Sequence, residues 1–197
     1  MGVKAEAARA PQGPPDGRLV WREVRRQATA LAVTVAVVAV VAFGLSLAAA
    51  AMQAGRDETR SADLAVVVAP AAPSERMADH AFEVYRRGYV PAVLLAGEGQ
   101  AGLKAQLLAR GVPEAALLSD GAGAAAPDLR RLARRAADGD AMSALVIAAP
   151  EETLLALKIA RDQGLRAYGS PTPGAAMTPG GLLGAAARYW RYVLLGL

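Results

Sequence analysis

The sequence predicts an α/β protein: a three-layer α/β/α sandwich with a mainly parallel five-stranded sheet, preceded by one transmembrane helix. Two observations lead to this prediction. Residues 28–52 contain no charged side chain, and from residue 62 onward short apolar runs alternate with helical patterns. Because strands that alternate with helices are joined by crossovers, they lie parallel, with helices on both faces of the sheet.

The uncharged run 28–52 is long enough to cross a membrane. As a helix it spans about 37 Å, against a hydrocarbon core of about 30 Å. Residues 1–27 carry six basic and three acidic side chains, whereas the charges of residues 53–61 balance. This excess of positive charge predicts that the N-terminus lies in the cytoplasm and the rest of the chain outside it.

Four segments follow from this interpretation: a cytoplasmic basic tail (1–27), a transmembrane helix (28–52), a linker (53–61) and an α/β domain (62–197). A cleaved signal peptide is the alternative, since Ala48-Ala49-Ala50 fits a small-residue cleavage site. The apolar run is longer than the 7–15 residues usual in signal peptides. We therefore expect an uncleaved anchor in the cytoplasmic membrane.

Beyond the linker, the patterns predict five strands and five helices in strict alternation. The expected strands are 63–69, 90–96, 115–118, 144–149 and 165–168. The expected helices begin after a Ser74 cap, at Gln100, at Pro127, at Glu151 and after a Thr178 cap. This order predicts a Rossmann-like sheet.

The composition limits the chemistry. The chain has no cysteine and a single histidine, His80, so disulfides, thiolate metal sites and multi-histidine centres are excluded, and we expect no metal and no cofactor. His80 is interpreted as a boundary residue of its helix, away from the strand ends.

The paired arginines of 130–135 predict a solvated helix face, with anionic headgroups or an envelope polymer as the alternative partner. The basic charge lies mainly in residues 1–27, so no nucleic-acid partner is predicted.

Ligands of parallel α/β sheets bind beyond the carboxyl ends of the strands. The polar and glycine residues at those ends form the candidate ligand-binding set: Ser74, Glu75, Arg76, Gly97, Glu98, Gly99, Ser119, Asp120, Glu151 and Glu152.

Two motifs within this set have alternative interpretations. The segment Gly97–Gly102 matches the G-x-G-x-x-G pattern that cradles a dinucleotide pyrophosphate, with Asp120 placed as a ribose-binding acid; the alternative is a packing role for the glycines. Glu151 and Glu152 fit a paired-carboxylate acid/base, or acids that stabilise a helix start.

The last predicted helix mixes aromatic and basic side chains in the run Arg188–Tyr192. One face is expected in the core. The other is expected to face a membrane surface or a partner.

The domain resembles the YdcF-like family. The resemblance covers residues 62–197 and rests on Glu75-Arg76 followed by the run Tyr85–Pro91, and on the run Leu107–Pro113. It implies a membrane segment followed by a Rossmann-like domain of the cell envelope. Arg76 matches the family pattern, whereas Glu152 and Leu155 stand where the family has His and Arg.

These observations predict a membrane-anchored extracytoplasmic domain that binds or scaffolds in cell-envelope biogenesis or integrity. Its partners would be the lipid bilayer, through residues 28–52, and envelope proteins or an anionic envelope polymer. One alternative is an envelope enzyme that holds an anionic substrate through Arg76, with Asp120 or Glu152 as acid/base. A second alternative is nucleotide or dinucleotide binding at Gly97–Gly102.

Overall fold

The computed structural model describes residues 17–196 apart from residues 120, 122, 124, 139 and 140. The chain divides into two compact units, Met1–Ala42 and Phe43–Leu197. Most of the predicted tail, residues 1–16, therefore lies outside the described part of the chain, as does Asp120.

The described part of the first unit is the beginning of helix α1, Gly17–Ala54. Within α1 the stretch Val24–Ala54 is long and apolar enough to cross a membrane, with a mean hydropathy of 2.6. The hydroxyls of Thr29 and Thr34 donate to backbone carbonyls one turn earlier, so these polar groups are satisfied within the helix. The predicted apolar helix is confirmed, and it extends beyond 28–52 at both ends.

The second unit contains the alternating strands and helices. In chain order they are β1 (Leu64–Val68), α2 (Glu75–Arg86), β2 (Val93–Ala96), α3 (Gln100–Ala109), β3 (Leu117–Ser119), α4 (Ala126–Asp138), β4 (Ser143–Ile147), α5 (Thr153–Asp162), β5 (Arg166–Gly169) and α6 (Pro179–Leu195).

All five strands are parallel, in the order β3-β2-β1-β4-β5. Val66 of β1 stands in register with Leu94 on one side and with Val146 on the other. The chain builds outward from β1 to β3, then returns to add β4 and β5. The predicted Rossmann-like α/β fold is confirmed, and its topological switch point lies between β1 and β4.

Two hydrophobic cores lie on opposite faces of the sheet. Ala65 and Val67 of β1 pack under α2 and α3, while Val66 and Val68 pack under α4 and α5. Because successive strand residues point to opposite faces, strands covered on both sides must be apolar throughout.

Several predicted element ends shift. Strand β2 begins at Val93 rather than residue 90, because Pro91 has no N–H to donate to a ladder. Strand β3 begins at Leu117, after a single 3₁₀ turn at Glu114–Ala116. Helix α5 begins at Thr153, so Glu151 and Glu152 lie in the turn before it.

The two predicted helix caps are confirmed. The Ser74 Oγ accepts a hydrogen bond from the Met77 N–H at 3.3 Å, and the Thr178 Oγ1 accepts one from the Gly181 N–H at 3.0 Å. Each hydroxyl satisfies one of the backbone donors left unpaired at a helix start.

Candidate functional site

The loop that leaves β1 covers the start of α3. A Cβ on Gly97 would stand 2.1 Å from the Ala69 carbonyl oxygen, and one on Gly99 would stand 1.9 Å from that of Pro70. Gly97 also has φ +97°, which glycine adopts without steric cost. These two glycines therefore let the loops after β1 and β2 pack backbone against backbone.

This packing places protein where a dinucleotide pyrophosphate would lie. In dinucleotide sites the glycines leave the helix N-terminus open to the phosphates. Here Pro73 Cδ would lie 2.8 Å from a Cβ on Gly99, and the Gly99 N–H donates to the Ala69 carbonyl at 3.4 Å. The geometry favours the packing interpretation of the motif. Glu98, between the two glycines, is exposed.

Two polar side chains at the start of α2 make hydrogen bonds within the protein. Ser74 caps the helix, as described above, and Glu75 is exposed in its first turn. The Arg76 Nη1 donates to the Gly174 carbonyl oxygen at 2.5 Å. Arg76 thus joins α2 to the loop between β5 and α6.

The acids before α5 also contact α6. The Glu152 Oε1 accepts a hydrogen bond from the Arg188 Nη2 at 2.9 Å. The Glu151 Oε1 lies 3.1 Å from the position of a Cβ on Gly181, and its other carboxylate oxygen is buried without a hydrogen-bond partner among the described residues. The expected convergence of an acid on Arg76 therefore has no described contact to support it.

At the end of β3, the Ser119 Oγ donates to the Gln100 Oε1 at 2.5 Å. This contact ties β3 to the start of α3. Asp120, the predicted acid next to Ser119, falls outside the described residues. The candidate ligand-binding set is thus spread over several separate contacts between neighbouring elements.

Away from these residues, four polar side chains form a cluster, Asp57, Thr59, His80 and Ser170, which we call the linker cluster. The His80 Nε2 and the Ser170 Oγ share a hydrogen bond of 2.7 Å. The Asp57 Oδ1 accepts hydrogen bonds from the Thr59 Oγ1 at 2.5 Å and from the Ser170 Oγ at 3.2 Å. Ser170, directly after β5, is fully buried.

The titration of the linker cluster follows from its burial and hydrogen bonds. Burial lowers the pKa of His80 from its ordinary value, against the opposing effect of the Asp57 charge. Partial burial raises the pKa of Asp57, but hydrogen bonds from Thr59 and Ser170 outweigh it and lower the pKa overall. The cluster is therefore most stable with the imidazole neutral and the carboxylate ionised.

A serine, a histidine and an aspartate in contact invite comparison with a catalytic triad. In a triad the carboxylate orients the imidazole, which takes the proton of an accessible serine. Here the carboxylate contacts the serine instead, and the serine has no exposed surface. The arrangement is that of a structural network, which joins the linker to α2 and β5.

The expected place of His80, away from the strand ends, is wrong, because this side chain reaches the residue that follows β5. The sequence does contain a signal for this polar site. Ser170 and Thr172 follow the fifth predicted strand, just as polar residues follow the other strands. What it lacks is any pattern that pairs them with a linker carboxylate.

The linker itself follows the sheet closely. The Glu58 N–H donates to the Gly169 carbonyl at 2.8 Å, and the Arg60 guanidinium lies 4.4 Å from the centre of the Tyr168 ring. Just beyond the linker, the Asp63 carboxylate accepts hydrogen bonds from the N–H and the hydroxyl of Ser143. These contacts make the segment part of the fold.

One apolar cavity of about 510 Å³ lies on the α4 side of β2 and β3. Leu94, Leu118 and Leu132 line it, with Asp63 and Arg135 at its polar margin. Leu118 stays 47% exposed there. The sequence gives no sign of this cavity, because Leu118 belongs to a short apolar run of the kind that predicts a strand covered by helices.

The part of the chain that the structure describes holds no group of three His, Asp or Glu side chains that could bind a metal ion. Fold and contacts together define a class: a Rossmann-like α/β domain that follows one long apolar helix and carries a polar network around the buried Ser170. Comparison with protein-family models, with curated proteins and with solved structures gave no match.

Proposed function

We propose that the protein is a single-pass membrane protein whose α/β domain lies outside the cytoplasm and serves the cell envelope by binding or scaffolding rather than by catalysis. The observation that carries this proposal is that polar side chains at the carboxyl edge of the sheet bond to other parts of the protein itself. Ser74 caps α2, Arg76 holds Gly174, and Glu152 pairs with Arg188. An active site needs such groups directed at a substrate.

The linker contacts support a role next to a membrane. Residues 43–54 of α1 belong to the same compact unit as the α/β domain. Directly after them, Asp57 and Glu58 bond to residues at the end of β5. A domain whose sheet bonds to residues this close to the end of the apolar helix suits a scaffold that acts near the bilayer.

Membership of the YdcF-like family is part of this proposal. The motifs that carry the resemblance are turns that end helices: Gly88 after α2 has φ +74°, and Gly111 after α3 has φ +93°. The Tyr89 and Val112 N–H groups then donate back to carbonyls five residues earlier. These motifs therefore support a shared fold with the family and say nothing about a shared reaction.

The first experiment is a pair of reporters fused after Leu197, one active only in the cytoplasm and one active only outside it. We expect activity from the external reporter alone, because the positive charge precedes the apolar helix. Activity from the cytoplasmic reporter alone would overturn the proposed placement. That result would also reopen the dinucleotide alternative.

The second experiment addresses catalysis. Purified full-length protein is assayed for hydrolase and transferase turnover on anionic envelope precursors, together with the variants Arg76→Ala, Asp120→Ala and Glu152→Gln. Arg87→Ala, directly after the helix that carries Arg76 and paired with Glu83, is the matched control. Turnover that is lost in a test variant and kept in the control would replace the scaffolding role with the enzymatic one.

A further inference from the structure

Helix α6 has a covered face and an uncovered apolar turn. Ala185, Ala186 and Tyr192 are buried, and the Tyr192 Oη donates to Asp162 at 2.8 Å. In contrast, Leu194 and Leu195 in the last turn are 72% and 66% exposed. Side chains of this size rarely stand together in water without a partner.

One contact relates this turn to the apolar helix. The Trp190 Nε1 donates to the Ser46 Oγ at 3.0 Å. Ser46 belongs to the stretch Val24–Ala54 that is apolar enough to cross a membrane, and it lies about 12 Å along the helix before the end of that stretch. Trp190 is therefore placed beside the part of the chain that would meet the bilayer.

The length of the stretch sets the depth of Ser46. Val24–Ala54 spans 31 residues, or about 46 Å, whereas a hydrocarbon core needs about 20 residues. With Arg25 and Arg26 kept at the inner surface, the core ends close to Ser46. The Trp190 ring then lies at the boundary between hydrocarbon and headgroups, which indole rings favour.

The direction of α6 places its last turn deeper than Trp190. Helix α6 starts at the carboxyl edge of the sheet, where Gly181 lies against Glu151. Gln53 of α1 lies at the same edge, with its Nε2 2.8 Å from the position of a Cβ on Gly169. Both α6, followed from its start, and α1, followed backward from Gln53 to Ser46, lead away from that edge in the same direction. The last turn of α6 therefore lies on the same side of Trp190 as the membrane-crossing part of α1 lies of Ser46.

We propose that the last turn of α6, with Val193, Leu194 and Leu195, enters the outer edge of the hydrocarbon core of the bilayer that α1 spans. The occupant of this apolar surface is lipid, because the turn continues beyond a residue bonded to the membrane-crossing stretch. This inference rests on the proposed membrane anchor. It adds a second contact of the protein with the bilayer.

The test uses the absence of cysteine from the chain. Full-length Leu194→Cys carries an environment-sensitive fluorophore and is reconstituted into phosphatidylcholine vesicles with or without spin-labelled phosphatidylcholine, which quenches on contact. Val38→Cys reports on the membrane stretch, and Leu108→Cys, 40% exposed on α3, is the matched control. We expect the lipid to quench the Val38 and Leu194 positions, and to quench the Leu108 position far less.

The outcomes separate the inference from the anchor. Quenching at Val38 with none above the control at Leu194 overturns the inference and keeps the anchor. No quenching at Val38 overturns both. A blue-shifted label at Leu194 that lipid does not quench means that protein, such as a second copy of this chain, covers the turn, and this also overturns the inference.

Discussion

The His80 Nε2 and the Ser170 Oγ lie 2.7 Å apart although 90 positions separate them in the chain. This hydrogen bond joins α2 to the end of β5, and Asp57 attaches the linker to the same serine. The segment that leads out of the apolar helix is therefore held inside the fold, which gives the linker cluster measurable consequences.

Replacement of Ser170 should destabilise the domain. The change Ser170→Ala removes the group that links His80 to Asp57: the half-buried His80 loses this partner, and Asp57 loses one of its hydrogen bonds. We expect the free energy of unfolding to fall by about 1–3 kcal/mol. The measurement is denaturant unfolding of the full-length protein in detergent. Ser61→Ala, an exposed serine nearby, should change the value by less than about 0.5 kcal/mol; equal effects would contradict the role of the cluster.

The linker cluster should also make stability depend on pH. Burial lowers the pKa of His80 in the folded state, so between that pKa and the ordinary value of about 6.5 the unfolded state binds more protons. Stability is then complete above about pH 6.5 and is lost as the pH falls through the folded pKa. The lowered pKa of Asp57 affects stability only in more acidic solution: its contribution is present above the ordinary pKa of 3.8 and is lost as the pH falls below that value.

The measurement is the unfolding free energy of the wild type and of His80→Gln between about pH 7 and pH 5. Glutamine keeps a polar side chain but does not titrate. We expect the wild type to lose more stability than the variant over this interval. Parallel curves would show that His80 is not the group responsible.

Two glycines of the G-x-G-x-x-G pattern, Gly99 and Gly102, should differ in their tolerance of a methyl group. Gly99→Ala places a Cβ 1.9 Å from the Pro70 carbonyl and should cost about 1–3 kcal/mol or more. Gly102→Ala meets only Pro73 Cγ at 3.7 Å, and alanine favours a helix by about 1 kcal/mol, so this variant should be neutral or stabilised. Thermal unfolding compares the two, and Gly102→Ala serves as the matched control.

The ion pair of Glu152 with Arg188 should contribute little to stability. The two side chains are 33% and 50% exposed, and solvent screens such a pair. A double-mutant cycle with Glu152→Gln and Arg188→Gln should give a coupling of about 0.2–1 kcal/mol. A coupling well above this range would mean that the pair is a main attachment of α6 rather than a minor one.

Much of the fold could be predicted because local signals agreed with one another. The apolar runs of β1 and β4, the caps at Ser74 and Thr178, and the glycines after α2 and α3 each specify an element or its end. The errors lie at weak boundaries. Pro91 delays the start of β2, and the acids Glu151 and Glu152 precede α5 instead of belonging to it.

The candidate site was less predictable, because a side chain's role depends on what the fold places beside it. Arg76 and Glu152 have the chemistry of binding residues, but the structure gives each a partner in the last third of the chain. Gly97 and Gly99 have the spacing of a phosphate loop, but Ala69 and Pro70 occupy the space next to them.

The sequence by itself determined the apolar helix, the alternation of strands and helices and hence the parallel sheet, since hydrophobic periodicity and helix caps are local properties. Only the tertiary structure decided which polar groups meet. It brought Asp57, His80 and Ser170 together from three distant segments, and it placed Trp190 beside Ser46. Such contacts depend on how elements pack, and pairing over long separations leaves no periodic pattern in the chain.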